Sequence, residues 1–231
     1  MSKVAIIGNG NLGYHISQEL AKHHTVQVVT RDNLSTFNPI GFDFVILCVP
    51  DGAIASVSES LPISNAIVVH VSGSTDLEAL NKHDKRGVIY PLQTFSKEMT
   101  VDFAAFPFFV ESTPKNLDTI EAFTSTFSPQ HHVLGSKERL KLHLAAVMAC
   151  NFTNHLYQLS DQVLKEIGLS YEDLHHLTEE TLNKAKAIGP ANAQTGPAIR
   201  HDRATIKQHL DTLEGNLKHV YQVLTESIQK N

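Results

Sequence analysis

The run Val4-Ala5-Ile6-Ile7-Gly8-Asn9-Gly10-Asn11-Leu12-Gly13 sets the fold class of this 231-residue chain. Its four apolar residues predict a buried strand, and a helical pattern begins directly after the glycines. In that context Gly8 permits a tight turn, Gly10 lets a pyrophosphate approach the backbone, and Gly13 lets the helix pack close to the strand. The run therefore predicts a dinucleotide-binding loop, with phosphates on the free N–H groups of the helix N-terminus. An ordinary glycine-rich turn without a ligand is the alternative.

Apolar, β-branched runs alternate with helical patterns through the first half of the chain. Strands that are apolar throughout are typical of a parallel sheet covered by helices on both faces. We therefore predict an α/β fold, in which a Rossmann-type doubly wound parallel sheet precedes an all-helical C-terminal domain. The predicted strands are 4–7, 26–29, 44–49, 66–71, 87–90, 108–110 and 131–134, and the predicted helices of this part are 12–23 and 119–127.

From Ser136 onwards the pattern is helical, which predicts a dinucleotide-binding domain of residues 1–135 and a helical substrate and dimerisation domain of residues 136–231. Ser136 is the expected N-cap, and Gly168 the expected stop, of one uninterrupted helix of about 30 residues. Further helices are predicted at 171–187 and from 202 to near the C-terminus, with a break near Gly215.

An apolar stripe runs along the predicted long helix from Leu140 to Ile167. Its residues recur at helical spacing and so lie on one face. Because this stripe is wider than a small helical domain needs for its own core, we expect a homodimer formed by helix packing between subunits.

Composition and charge favour a cytoplasmic protein that acts on a small-molecule substrate. The formal net charge of −5 leaves no basic excess for nucleic acid or an anionic membrane surface. No apolar run approaches the roughly 18 residues of a membrane span, and the N-terminal apolar run is too short for a signal peptide. The two cysteines, Cys48 and Cys150, suit buried reduced thiols better than a disulfide framework.

The sequence contains 14 histidines, some in adjacent pairs such as His131-His132. Adjacent side chains on a strand or helix diverge, whereas metal ligands must converge on one point. Neither an HExxH nor a CxxC pattern occurs in the sequence, so we expect no metal site.

The residue that ends the second strand distinguishes NAD from NADP. An acidic side chain there accepts a hydrogen bond from the ribose 2′-hydroxyl and repels a 2′-phosphate. This chain has Thr30 followed by Arg31, and a hydroxyl with a guanidinium suits a phosphate. The sequence therefore predicts NADP as the cofactor. The alternatives are that Arg31 is a solvated cation, or that Asp32 holds the ribose of NAD.

Residues Val49, Pro50 and Asp51 stand at the C-terminal end of the third predicted strand. Ligands of open parallel sheets lie beyond the carboxyl ends of the strands, so these residues are predicted to contact the cofactor. A turn that starts a helix, with Asp51 as the cap, is an explanation that needs no ligand.

The next predicted strand ends in His70, followed by Ser72 and Ser74, at the same edge of the sheet. An imidazole titrates close to neutral pH and can give a proton to a reduced carbonyl or imine. His70 and Ser72 are therefore catalytic candidates, and Ser74 is a candidate substrate contact. For His70 the alternative is a structural hydrogen bond at a strand end.

Five segments spread over nearly the whole chain carry a family resemblance: the glycine loop, 70–74, 90–95, 143–151, and 195–197 with Arg200 and Asp202. They resemble a Rossmann-like family with a helical C-terminal domain of unknown function, whose members are assigned as NADP-dependent oxidoreductases. Its relatives include pyrroline-5-carboxylate reductase, the deazaflavin-dependent NADP reductases and the β-hydroxyacid dehydrogenases. The resemblance implies an NADP-dependent oxidoreductase.

Two positions depart from these families. Tyr90 stands before Pro91 where the family usually has His, which keeps a hydroxyl donor at a predicted substrate contact. In the β-hydroxyacid dehydrogenases a catalytic lysine lies one helical turn before an asparagine, whereas this chain has Val147 four residues before Asn151. The resemblance implies that Asn151 is a catalytic residue facing the cofactor; a hydrogen bond between helices is the alternative.

The resemblance also implies that Thr195, Arg200 and Asp202 face the cleft, with Thr195 and Arg200 as substrate contacts. Arg200 would then bind a substrate carboxylate in a bidentate manner. Its alternative is an ion pair with Asp202 near a helix start.

Two functional hypotheses follow from the sequence. The first is an NADP-dependent oxidoreductase that moves a hydride between the nicotinamide and a small carbonyl, imine or hydroxy-acid substrate. The second is a non-catalytic module that binds or senses NADP(H), since Val147 replaces the usual lysine.

Overall fold

The computed structural model describes residues 1–230 and divides the chain into two compact units, Met1–Ala149 and Cys150–Asn231. The predicted domain boundary at residue 135 stays a prediction. The division between the two compact units falls 14 residues later in the sequence, after Ala149. Seven strands form one sheet in the order β2-β1-β3-β4-β5-β6-β7. They are β1 (Lys3–Ile7), β2 (Thr25–Val29), β3 (Phe44–Leu47), β4 (Ile67–His70), β5 (Arg86–Pro91), β6 (Phe108–Ser112) and β7 (His131–Val133).

All neighbouring strands pair in parallel except β5 and β6, which are antiparallel. Parallel pairing requires a crossover connection, usually a helix, whereas a loop at residues 92–107 joins these two strands. The predicted α/β class, a Rossmann-type sheet followed by helices, is confirmed, with this one antiparallel pair as an addition.

The first unit contains the helices α1 (Asn11–Leu20), α2 (Arg31–Leu34), α3 (Ile54–Ser60), α4 (Leu117–Thr124) and α5 (Ser136–Ala146). Side chains of β1 alternate between two apolar clusters: Val4 and Ile6 pack in one, and Ala5 and Ile7 in the other. Both faces of the strand are therefore buried, which is why the run reads as continuously apolar.

The predicted long helix is not uninterrupted. A π-helix at Val147–Phe152 separates α5 from α6 (Thr153–Lys165), so this prediction was wrong in detail. A π-helix replaces the i→i+4 hydrogen bonds by i→i+5 bonds and is rare, and the residue types here give no sign of it. Gly168, with a φ of +77°, follows the end of α6 as expected of a stop residue.

The second unit is helical, as predicted. Besides α6 it contains α7 (His175–Ile188), α8 (Pro190–Ala193), α9 (Arg203–Thr212) and α10 (Gly215–Gln229). The predicted break near Gly215 falls between α9 and α10. In the described part of the chain, no helix combines the length and the apolar character needed to cross a membrane.

The two cysteines are free and differ in environment. Cys48 follows β3, and burial raises the pKa of its thiol to about 12. Cys150 lies on the π-helix and is exposed, so the expectation of a buried thiol was wrong there.

Candidate functional site

The glycine loop has the geometry that its sequence pattern predicts. Gly8 has a φ of +106°, and a Cβ there would lie 2.2 Å from the Cys48 carbonyl oxygen. A Cβ on Gly13 would lie 2.2 Å from the Gly8 carbonyl oxygen, which is closer than any real contact. A Cβ on Gly10, in contrast, would meet no atom within 4 Å. Gly8 and Gly13 are therefore required by packing, whereas Gly10 leaves the backbone open to a ligand.

A cavity of about 350 Å³ lies beside this loop. Part of its lining coincides with residues that the sequence predicts to bind cofactor, namely Gly8, Asn9, Gly10, Thr30, Arg31, Val49 and Pro50. Its other lining residues, which sequence reasoning missed, are Ile7, Leu34, Cys48, Ala53 and Val57. Asn11 and Asp51 each follow a lining residue directly, and Leu12 and Gly13 come next after Asn11, but none of the four is part of the lining. The structure thus brings together three separate strand ends around one space.

Arg31 is an exposed cation at this cavity. The backbone N–H of Thr30 donates to Asn33 Oδ1 over 2.7 Å, which fixes the start of α2. Arg31 and Asp32 are both exposed, and Arg31 forms no ion pair within residues 1–230. The guanidinium is therefore available to an anion in the cavity.

The turn after β4 is held by its own side chains. Nδ1 of the fully buried His70 accepts a hydrogen bond from the Ser72 N–H over 3.2 Å. Ser72 Oγ accepts from the N–H groups of Ser74 and Thr75, at 3.1 and 3.0 Å. Ser74 Oγ donates to Asp51 Oδ2 over 2.5 Å, which joins this turn to the residues after β3. The Ser72 hydroxyl is thus committed to the turn, and the Ser74 and Asp51 side chains are exposed.

Burial, followed by the nearby Arg139 guanidinium, lowers the pKa of His70 to about 4. The imidazole is therefore neutral near pH 7 and is enclosed by protein. These properties favour a positioning role for His70, through its bond to Ser72, over the proton transfer considered from the sequence.

This pKa predicts a pH-dependent stability. Between pH 6.5, the ordinary pKa, and about 4, the unfolded chain binds a proton that the folded chain excludes, so stability falls as the pH falls. We expect a loss of roughly 2 kcal/mol from this residue between about pH 7.5 and about pH 5. Urea unfolding followed by circular dichroism measures it. A His70→Gln variant should show a shallower pH dependence, and an identical dependence contradicts the prediction.

Tyr90 and His143 form a phenol–imidazole pair beside the same turn. Tyr90 Oη lies 3.3 Å from His143 Nδ1, and a Cβ on Gly73 would lie 2.7 Å from atoms of both rings. Gly73 therefore lets the turn lie directly against the pair. Burial raises the pKa of Tyr90, opposed by the Arg139 guanidinium and assisted by the Asp51 carboxylate. The phenol thus keeps its proton throughout the neutral range.

The buried Arg139 fixes the helix that carries His143. Arg139 is fully buried on α5 and forms an ion pair with Glu111 of β6. Its guanidinium also donates to the Thr75 carbonyl and to Ser136 Oγ, and Ser136 in turn donates to Glu111. Ser136 was predicted as an N-cap; instead the helix begins at Ser136 after Gly135, and the hydroxyl serves this network. Since Arg139 and His143 are four residues apart, the network fixes one face of α5.

Sequence reasoning gave neither Arg139 nor His143 a role. His143 opens one of the segments of the family resemblance, which was the available signal. A lone arginine in a helical pattern gives no sign of burial, because long cations are mostly exposed.

Asn151, Thr195 and Arg200 belong to the second unit, where all three are exposed. Asn151 lies on the π-helix, and Thr195 lies in the loop after α8. Asp202 caps α9 by accepting from the Thr205 N–H over 3.1 Å, and no ion pair joins it to Arg200 among the described residues. Within residues 1–230, no three His, Cys, Asp or Glu side chains are grouped to hold a metal ion.

Comparison with known proteins identifies the family. A family model described as "Domain of unknown function (DUF2520)" matches residues 106–228, more than half of the chain. No curated protein matches the sequence. Among solved structures, a candidate NADP oxidoreductase from Bacteroides fragilis is 32% identical, with a TM-score of 0.89 over 100% of this chain and 98% of that one.

More distant structures share the fold. A protein from Thermotoga maritima is 22% identical, with a TM-score of 0.72 over 98% of this chain and 97% of that one. A reductive aminase from Aspergillus terreus, solved with NADPH and ethyl levulinate, is 13% identical, with a TM-score of 0.72 over 100% and 94%.

These relatives confirm the resemblance drawn from the sequence. The B. fragilis protein is named as an NADP oxidoreductase, and the A. terreus enzyme was solved with NADPH. The family match and the B. fragilis structure together show that this chain belongs to the DUF2520 family, a Rossmann-like family with a helical C-terminal domain.

Proposed function

We propose that this protein is an NADP-dependent oxidoreductase that acts on a small carbonyl, imine or hydroxy-acid substrate. One observation carries the proposal: Pro50 lines the cavity beside the glycine loop, and the next residue, Asp51, is hydrogen-bonded to the turn that lies against Tyr90 and His143. A dinucleotide site and a proton-carrying pair are therefore joined through one short stretch of chain. The names of the structural relatives support the same class of reaction.

The residues present fit NADP. The open backbone at Gly10 and the N-terminus of α1 suit the diphosphate. The Arg31 guanidinium, which forms no ion pair among residues 1–230, suits the 2′-phosphate. When bound as NADPH, the cofactor supplies the hydride for the reduction. The remaining Gly8, Thr30, Val49 and Pro50 would surround the adenosine and ribose groups.

Tyr90 is the proposed proton donor. The β-hydroxyacid dehydrogenases have a catalytic lysine, and this chain has Val147 at that position. With a proton on His143 Nδ1, the imidazole donates to the phenolic oxygen, and the Tyr90 O–H is directed to the substrate oxygen or nitrogen. As the substrate carbon is reduced, this heteroatom takes the phenolic proton. His143 passes its Nδ1 proton to the phenolate while Nε2 takes a proton from solvent, so the imidazole stays neutral. Ser74 and Asp51 are the proposed polar contacts that orient the substrate.

Removal of the Arg31 charge tests the cofactor assignment. We expect Arg31→Ala to weaken NADPH binding about 10-fold to 100-fold, since charge-assisted hydrogen bonds contribute about 1.5–3 kcal/mol. NADH binding should stay unchanged, because NADH lacks the 2′-phosphate. Fluorescence titration with both cofactors measures this, and the chain contains no tryptophan to interfere. If wild-type protein binds neither cofactor at millimolar concentration, the proposed function fails.

A non-catalytic NADP(H)-binding module is the second candidate, and Val147 in the place of a catalytic lysine is the observation that favours it. Incubation with NADPH and a panel of aldehydes, 2-oxo acids and cyclic imines separates the two candidates. Cofactor binding without turnover of any panel member favours the module.

For the assembly we propose a cytoplasmic homodimer through the helical part of the chain, including α5 and α6. The apolar stripe is exposed in the single chain at Leu140, Leu144, Met148, Phe152, Val163 and Ile167. We expect light scattering at micromolar concentration to give twice the monomer mass, and Phe152→Glu to shift it toward the monomer. Ile63→Glu, at an equally exposed apolar residue outside the stripe, should leave the dimer intact. A monomer mass for the wild type contradicts the dimer.

A further inference from the structure

A strap formed by residues 95–97 lies against α1 next to the glycine loop. Lys97 Nζ donates a hydrogen bond of 2.8 Å to the Asn9 carbonyl oxygen, in the middle of that loop. The ammonium also lies 5.6 Å from the centroid of the Tyr14 ring in the first turns of α1. Since Asn9 lines the 350 Å³ cavity, the Lys97 ammonium is hydrogen-bonded to a residue of the cavity wall.

Contacts other than the lysine charge hold the strap in place. His15 Nε2, on α1, lies 2.8 Å from the Ser96 carbonyl oxygen and must carry the proton, because a carbonyl only accepts. The Phe95 ring lies 5.8 Å from the His15 ring and packs with the aromatic rings of the main core. The contacts of Phe95 and Ser96 thus fix the position of Lys97, and the strap does not need the lysine charge to stay against α1.

The Lys97 ammonium has capacity for an anion. It forms no ion pair in the described part of the chain, and the adjacent Glu98 carboxylate accepts a short hydrogen bond from Ser96 Oγ instead. An ammonium has three donors, of which the Asn9 carbonyl takes one. The two remaining donors are next to the loop where Gly10 leaves the backbone open.

We propose that Lys97 binds the diphosphate of the dinucleotide, opposite the N-terminus of α1. The inference rests on the proposed function and adds a residue from outside the glycine-loop motif. It divides the recognition of the cofactor between two cations. Lys97 binds a group that NADPH and NADH share, whereas Arg31 binds the 2′-phosphate that only NADPH carries.

Calorimetric titration of wild type, Lys97→Gln and Lys22→Gln with NADPH, NADH and ADP-ribose tests this. We expect Lys97→Gln to weaken all three ligands about 10-fold or more, because each contains the diphosphate. Lys22→Gln makes the same change in net charge at an exposed lysine paired with Glu19, and should change affinity less than about twofold. The deficit of Lys97→Gln should also shrink as salt is raised, since salt screens exposed charges. Lys97→Arg should retain most of the affinity.

Three results overturn the inference. If Lys97→Gln binds ADP-ribose and NADPH as tightly as the wild type, Lys97 does not contact the diphosphate, and the proposed function is unaffected. A loss for NADPH alone assigns Lys97 to the 2′-phosphate instead. If salt does not reduce the loss of affinity in Lys97→Gln, Lys97 maintains the conformation of the glycine loop and does not bind the diphosphate. If the wild type binds no dinucleotide, the proposed function fails first and this inference with it.

Discussion

The Arg139→Met variant is expected to lose about 3–5 kcal/mol of its free energy of unfolding. The substitution removes a fully buried guanidinium and leaves the Glu111 carboxylate, the Thr75 carbonyl and the Ser136 hydroxyl without that partner. A largely buried charge that has lost its partner is costly, because the protein interior solvates it poorly. Urea unfolding followed by far-UV circular dichroism measures the change.

Two further variants separate this cost from the mere loss of an ion pair. Lys207→Met breaks an exposed pair with Asp211 and is expected to cost less than about 1 kcal/mol. The double variant Arg139→Met with Glu111→Leu should recover part of the loss, since it removes both buried charges together. A loss below about 1 kcal/mol in Arg139→Met would contradict the importance given to this network.

Replacement of Tyr90 by Phe is expected to lower turnover about 10²-fold to 10⁴-fold, the usual contribution of a positioned proton donor. The variant keeps the buried ring and removes only the hydroxyl that bonds to His143. NADPH affinity should remain that of the wild type, because Tyr90 is not part of the cavity lining. The measurement is the rate of NADPH oxidation with the best substrate of the carbonyl and imine panel.

Tyr221→Phe is the matched control. It removes a similar phenol–imidazole bond, 2.8 Å long, between Tyr221 and His209 in the second unit, and should leave turnover unchanged. The pH profile adds a separate test. Burial raises the pKa of Tyr90 above its ordinary value of 10.0, so the wild type should lose this proton donor only as the pH rises past that value. Equal turnover in Tyr90→Phe and wild type would show that the proton comes from another group.

Much of the first unit was predictable because its signals are local. The strand, the glycine turn and the helix of residues 3–20 follow from periodicity and from the steric freedom of glycine, and the structure contains all three. Thr30 and Arg31 were predictable in the same way, since they occupy a fixed position at the end of β2. The antiparallel β6 and the π-helix were missed, because neither strand direction nor an inserted residue in a helix changes the residue pattern.

The environment of a side chain was harder to predict than its position in an element. His70 was correctly placed at a strand end, yet its complete burial and lowered pKa depend on groups from other segments, including Arg139. Ser72 and Ser74 illustrate the same limit, since one hydroxyl is taken by the turn and the other by Asp51.

By itself the sequence determined the α/β class, the glycine loop at Gly8, Gly10 and Gly13, and the cationic residue at the end of the second strand. These features depend on neighbours within one element. Only the tertiary structure decided that Tyr90 meets His143, 53 residues away, and that Lys97 meets Asn9, 88 residues away. Such pairs depend on strand order and on the packing of distant segments, which local periodicity does not specify.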